Sequence, residues 1–372
     1  MRTSWPVARI FGIEIRIDSS WVIIFGLVTW ALAGHYFPRQ YPGWQHWQYW
    51  LVGVTASVLL FGSVLAHELT HSLVARSQGE GVRSITLFIF GGVAEINEEP
   101  KTPWKEFIIA AVGPLSSLII AFIFGVLWFL SRGVSVPIAA LSRYLSMINV
   151  FLAIFNMVPG FPLDGGRVLR AIAWKATGNL RRATRIASIS GQAVAFLLIF
   201  LGIWQILSGL FFNGLWIALI GWFIHSAAVR GYRQVLVKEL LKDVRAEDLM
   251  SREFATVPGD LSVQALMDDH ILKRRERAFL VTEEGRVSGI ICLEDVKAVA
   301  PEERTQTQVR QVMTPRDRLT AVSPDDDGSQ VLAKLSSGQV HQVPVVDNGT
   351  VKGIVCRSDI LNFLHLRSEL GV

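Results

Sequence analysis

The sequence predicts a polytopic α-helical membrane domain of six spans joined to a soluble α/β domain made of two repeats. Three observations carry this prediction. Apolar stretches of roughly 20 residues, long enough to cross a bilayer, can be read six times, all before Arg230. The 372-residue chain is 51% hydrophobic, with mean hydropathy +0.39, and only 18% charged, below the about 25% of soluble domains. Residues 240–372 reverse that balance, and within them two segments match at an offset of 64.

The spans lie near 19–37, 50–76, 106–131, 136–158, 186–208 and 211–228. Before them, "ARIFGIEIRID" alternates Ile13, Ile15 and Ile17 with Glu14, Arg16 and Asp18. That is the two-residue period of a strand, not the apolar core of a signal peptide. The composition break gives a membrane domain over 1–230, a linker over 231–244 and repeats over 245–305 and 306–372. The two cysteines, Cys292 and Cys356, both fall in the soluble part and give no sign of a disulfide framework. A net charge of +5 is accounted for by arginine flanking the spans, so no nucleic-acid partner is expected.

Lys and Arg are distributed unequally between the two sides. Arg2, Arg9 and Arg16 precede span one; Arg76, Arg83, Lys101 and Lys105 follow span two; Arg167, Arg170, Lys175, Arg181, Arg182 and Arg185 follow span four. The alternate connections hold only Arg39 and Arg132. By the positive-inside rule both termini are cytosolic. The cluster Tyr41, Trp44, Trp47, Tyr49 and Trp50 suits the opposite interface.

Span two ends in "HELTH", residues 67–71. His67 and His71 are four apart, so on a helix they share a face and can share a zinc ion, with Glu68 beside them to act on water there. Counting from Trp50, His67 lies roughly 25 Å down the span, just inside the cytosolic edge of the hydrocarbon. A chance match loses force at that depth, where ionisable groups are costly and usually functional. Catalytic zinc takes three protein ligands, so a third is needed from another span at the same depth. Span four runs the same way and ends in "NMVPGFPLDGGR", residues 156–167. Pro159, Gly160 and Pro162 break that helix, and Asp164 after the break is the one carboxylate between Glu106 and Lys238. Topology and ligand count therefore converge on Asp164.

"HELTH" together with "NMVPGFPLDGG" resembles the site-2 protease family of intramembrane zinc metalloproteases over roughly residues 8–228. The resemblance implies that His67, His71 and Asp164 bind one Zn2+, that Glu68 is the general base and that Asn156 helps hold the substrate backbone or oxyanion. "FIFGGVAEI", residues 88–96, resembles the family's short re-entrant β-hairpin beside the active site, which offers an edge to an extended substrate. "AAVGPLSSLI" resembles another family segment, but Ser117 stands where the family has Asn, and no role is assigned to it. His225, alone on an apolar face, reads as packing. The implied activity is cleavage of transmembrane segments of membrane-anchored proteins near the cytosolic face, releasing a transcription regulator or anti-sigma factor segment.

In the soluble part, "GRVSGIICLEDV" matches "GTVKGIVCRSDI", and each unit reads strand, helix, strand, strand, helix. This resembles a pair of CBS domains, which implies homodimerisation and adenine-nucleotide binding with Asp295 and Asp359 near the ribose. Cys292 and Cys356 occupy sites where many nucleotide binders have Thr or Ser, and a pair serving dimerisation alone is the other reading. Lys273, Arg274, Arg275 and Arg277 form a basic run that reads as a solvated helix face. Two rivals stand beside the protease. A CBS-gated transporter would carry inverted repeats with interrupted helices, and no counterpart of either motif is found. An inactive scaffold would have no need of an intact His67, Glu68, His71 and Asp164.

Overall fold

The alternating N-terminal stretch folds as two antiparallel strands, β1 (Ser4–Ile10) and β2 (Ile13–Asp18). In the computed structural model, which describes residues 4–96, 100–274, 278–337, 340 and 342–370, Ile13 and Ile15 are buried. Glu14 and Arg16 pair with each other at 2.7 Å on the opposite face. β2 then runs parallel to β3 (Val82–Phe88), which turns back into β4 (Gly91–Ile96). The hairpin expected over 88–96 is thus part of a four-stranded sheet of order β1-β2-β3-β4. An isolated hairpin is marginal in water, and added strands with an apolar face supply what it lacks. Here that face, Ile13, Ile15 and Ile85, packs on Leu65, Leu69 and Leu73, the side of the helix that carries "HELTH".

Asp18 closes the sheet and opens the first span. Its carboxylate accepts from Ser20 N at 2.9 Å, capping α1 (Ser19–Ala31). A π-helical turn over Leu32–Tyr36 leads into α2 (Phe37–Gln40). The other helices of this half are α3 (His46–Ser77), α4 (Pro103–Ser131), α5 (Val136–Asn156), α6 (Asp164–Thr177), α7 (Leu180–Leu207) and α8 (Phe211–Leu241). Among the described residues, six stretches are long and apolar enough to cross a membrane: Ser19–Gln40, α3, α4, α5, α7 and α8. α8 continues to Leu241, through most of the segment expected as a linker.

Small residues line the contacts between these helices, among them Ala56, Ala110, Ala121, Ala140, Ala153 and Ala187, while Phe122, Phe129, Phe200 and Trp204 are largely exposed. This ordering suits lipid, where close backbone approach replaces the hydrophobic effect as the reason helices associate. Hydroxyls and an amide add ties between helices: Thr29 to Ser57 at 2.9 Å, Asn149 to Ser63 at 3.2 Å, and Ser188 to the Ala228 carbonyl at 3.0 Å.

The chain divides into two compact units, Met1–Arg233 and Gln234–Val372. After the end of α8, the second unit continues with α9 (Ala246–Leu249). Its first repeat holds β5 (Thr256–Pro258), α10 (Val263–Ala265), a π-helical turn Leu266–Ile271, α11 (Leu272–Arg274), β6 (Ala278–Glu283), β7 (Arg286–Cys292) and α12 (Leu293–Ala298). The second repeat holds α13 (Val309–Val312), β8 (Thr314–Pro315), α14 (Gly328–Ser337), β9 (Gln342–Asp347), β10 (Thr350–Cys356) and α15 (Arg357–Leu370). β5-β6-β7-β8 form one sheet and β10-β9 another. In the second repeat the expected first strand is reduced to a single bridge between Val322 and Val345. The inward positions still repeat: Phe279, Val281 and Ile291 fill one core, and Val343, Val345 and Val355 the other. Phe279→Ala is expected to destabilise the second unit by about 3–5 kcal/mol, the cost of truncating a fully buried aromatic. Denaturant titration of the full chain, followed through that unit, checks this.

Candidate metal centre

Helical spacing puts His67 and His71 on one face of α3, and both are buried, 3% and 4% exposed. Their Nε2 atoms lie 3.2 Å apart, and each is 3.1 Å from Oδ2 of Asp164, itself 8% exposed. Asp164 opens α6, immediately after the break that the prolines impose. α5 stops at Asn156, and the backbone of the break finds its partners inside the protein: Phe161 N donates to Ala187 O at 3.1 Å and Leu163 N to Gly160 O at 3.0 Å. Non-helical backbone at membrane depth persists only under that condition. "DGG" is required by contact as well, since a Cβ on Gly165 would collide with the backbone of Met157 and one on Gly166 with that of Gly160.

The donor set can be tested against a cation. His71 Nδ1 lies 2.5 Å from the Ile109 carbonyl, an acceptor, so Nδ1 carries the proton and Nε2 presents a lone pair when the ring is neutral. His67 Nδ1 is 3.0 Å from Ser117 Oγ, which can accept in the same way. Two imidazole lone pairs and a carboxylate oxygen then point at one another in a buried pocket. Such an arrangement repels itself unless a cation sits among the three atoms. Ligand atoms around a tetrahedral ion at about 2.0–2.2 Å would be separated by little more than the spacing seen here. The residues fit a zinc ion. Among the described residues, this is the one group of three or more His, Cys, Asp or Glu that converges closely enough to hold a metal.

Comparison with known proteins agrees with the geometry. Residues 55–143 and 132–201 match the model of peptidase family M50, and 246–302 and 309–366 match the CBS domain. The zinc metalloprotease Rip3 of Mycobacterium tuberculosis is 35% identical over 98% of this chain and 94% of its own length. The chain belongs to peptidase family M50, the site-2 protease family. It is an intramembrane zinc metalloprotease with a C-terminal CBS-domain pair. A Synechocystis zinc metalloprotease, sll0528, is 35% identical over 98% of this chain and 96% of that protein. Zinc metalloprotease MJ0392 of Methanocaldococcus jannaschii is 33% identical over 84% of this chain and 86% of its own length. Among solved structures, the site-2 protease from that archaeon matches with TM-score 0.43 at 27% identity, covering 62% of this chain and 95% of that one.

The other residues singled out in this M50 protease are placed as follows. Glu68 sits beside the His pair with the backbone of β4 against it: a Cβ on Gly92 would fall 2.5 Å from Glu68 Cγ. Asn156 ends α5, and its amide donates to Leu152 O at 3.0 Å. His225 packs on the Phe196 ring at 5.1 Å, with its buried Nδ1 unpartnered. Asp295 and Asp359 each accept from the amide of the cysteine three residues before, at 2.8 Å, and so cap α12 and α15. A cavity of about 730 Å3 lies at the other end of β7, lined by residues including Thr282 and Arg286 of the first repeat and Arg310 of the second, and not by Asp295. Burial pushes the Cys292 thiol up to about 12 and that of Cys356 up to about 11. Arg275 and Arg277 of the basic run lie outside the described residues.

Sequence reasoning missed the partners of the ligands on α4. Ser117 was legible only as a departure from the family's Asn, and the Ile109 carbonyl has no sequence signature at all. Missed too were Gly113, where a Cβ would fall 2.5 Å from His71 Cε1, and the buried ion pair of Glu106 with Arg170. Gly113→Ala is expected to displace the His71 ring and abolish stoichiometric zinc, and the same loss is expected of Asp164→Ala and His67→Ala. Metal analysis of the purified variants checks all three. Wild-type zinc in Asp164→Ala would remove that residue from the site.

Proposed function

We propose that this protease cleaves transmembrane segments of membrane-anchored proteins near the cytosolic face, with zinc held by His67, His71 and Asp164. The observation that carries the proposal is the convergence of three buried acceptor atoms beside Glu68, with a sheet edge running past it. When bound, zinc supplies Lewis acidity that polarises a carbonyl and brings the pKa of water toward about 7. Glu68 takes the proton from the attacking water and passes it to the leaving amine. A substrate helix has its amides satisfied internally, so it must unwind before attack. β4 is an edge strand in the sheet order, and its free side offers main-chain partners to the extended segment. Asn156, where α5 gives way to the break, holds the substrate backbone.

The excess of Lys and Arg after spans two and four supports cytosolic termini and a cytosolic CBS pair. The released fragment is then cytosolic, which suits a membrane-tethered transcription regulator or an anti-sigma factor. The tandem repeat supports regulation by an adenine nucleotide near Asp295 or Asp359, and homodimerisation through the pair. Each aspartate gives Oδ2 to its helix cap, and Oδ1 of Asp359 also accepts from Ser358 Oγ at 3.5 Å, a weak contact that a ribose hydroxyl would replace.

Glu68→Gln tests the chemistry. The variant keeps size and zinc stoichiometry, while turnover of a membrane substrate falls about 10²–10⁴-fold, the contribution of a general base. Cleavage at the wild-type rate would refute the assignment, and loss of zinc would make Glu68 structural. A reporter fused after Val372 is expected to be active in the cytosol. Titration with ATP or AMP is expected to show binding and altered turnover; no binding at millimolar concentration would leave dimerisation as the role of the pair.

A further inference from the structure

Four positions on α4, Glu106, Ile109, Gly113 and Ser117, are spaced by three, four and four residues, so they form one face of the helix. Each meets the metal centre or the helix that supplies its third ligand. The Ile109 carbonyl accepts from the Nδ1–H of His71 at 2.5 Å. Gly113 leaves the space that the His71 ring occupies. Ser117, fully buried, lies 3.0 Å from His67 Nδ1. Glu106, also fully buried, meets Arg170 of α6, whose Nε is 2.5 Å from Glu106 Oε1 and whose Nη2 contacts the same oxygen. Arg170 also lies over the Phe161 ring at 4.9 Å, within the break that leads to Asp164.

From this juxtaposition we infer that Ser117 and the Glu106–Arg170 pair are positioning residues of the metal centre. Ser117 fixes the tautomer and ring plane of His67, and the ion pair fixes α6 so that Asp164 Oδ2 meets both Nε2 atoms. The inference rests on the proposed His67, His71 and Asp164 ligand set. The physical reason for Ser117 is tautomeric. Neutral imidazole offers one lone pair, and an acceptor at Nδ1 keeps the proton there and Nε2 free for the ion. The reason for the pair is mechanical. Asp164 is the first residue of α6 after a break with no regular hydrogen-bond ladder, so its position depends on what anchors the helix behind it. Arg170 lies six residues on, and its two engaged nitrogens resist rotation of α6 in a way a single contact would not. Glu106 Oε2 is buried without a partner, so the attachment of α6 to α4 at this point runs through Oε1.

Zinc dissociation constants, measured on the purified full chain by competition with a chromophoric chelator, test the inference. Wild-type protein without tight zinc would overturn the ligand set and, with it, the roles on α4, whereas failure of those roles alone would show as wild-type affinity in the variants. Ser117→Ala is expected to weaken zinc binding about 10- to 100-fold and to lower kcat while KM holds, and Ser117→Thr to restore both. The paired variant Glu106→Leu with Arg170→Met removes both charges together, which folded proteins often tolerate, and is expected to weaken zinc to a similar extent. Wild-type zinc affinity in folded Ser117→Ala would remove Ser117 from the role, and the same result in the folded paired variant would remove the clamp. Should the paired variant not fold, Arg170→Lys, which keeps the charge but gives up the planar fork, decides the matter. Wild-type affinity there would overturn the clamp, and weakened affinity with an unchanged metal-free melting temperature would support it.

Discussion

Two imidazole nitrogens and a carboxylate oxygen, 3.1–3.2 Å apart and shielded from water, repel one another with little screening in a low-dielectric interior. A cation between them turns that repulsion into coordination, and much of the membrane unit can be understood as the means of bringing these atoms together. His67 and His71 need only a straight helix. Asp164 needs a chain that crosses the membrane, stops short and resumes helix at the same depth. That stop is possible because "PGFPLDGG" folds back on itself and on α7, giving its amides and carbonyls protein partners where lipid offers none.

The same constraint explains why helix, break and sheet are packed so closely. Gly160 has no room for a Cβ because Gly191 of α7 lies against it, and Gly92 has none because Glu68 does. The loop and the edge strand therefore approach the centre by backbone, leaving side-chain space to His67, His71, Asp164 and Glu68. The sheet belongs to this arrangement through its apolar face on α3. Moving β4 away from Glu68 would require pulling Ile13, Ile15 and Ile85 off Leu65, Leu69 and Leu73.

The side chains that converge at the candidate centre were legible in the sequence. "HELTH" shows its geometry in five letters, and Asp164 stands out because carboxylates are scarce in apolar sequence. The six spans were legible because a bilayer sets their length, and the soluble repeat because two segments match at one offset. The parallel pairing of β2 with β3 was not legible. It joins Glu14 to Ser84 across the whole of α1 and α3, and strand period fixes a face without naming a partner. The face of α4 was hidden for a similar reason. Glu106 finds Arg170 across 64 residues, and the acceptor for His71 is a main-chain carbonyl that any residue would supply. The second repeat kept its inward positions, Val343, Val345 and Val355, but lost its first strand to a single bridge at Val322, a change that the matched letters did not announce.

Zinc K-edge X-ray absorption on the purified, metal-loaded protein reads the ligand atoms themselves. Coordination by His67, His71 and Asp164 predicts a shell of nitrogen and oxygen at about 2.0–2.2 Å with the multiple-scattering signature of two imidazoles and no sulfur. A sulfur shell near 2.3 Å would place the metal at Cys292 or Cys356 in the soluble unit. A spectrum lacking imidazole would contradict the assignment of His67 and His71.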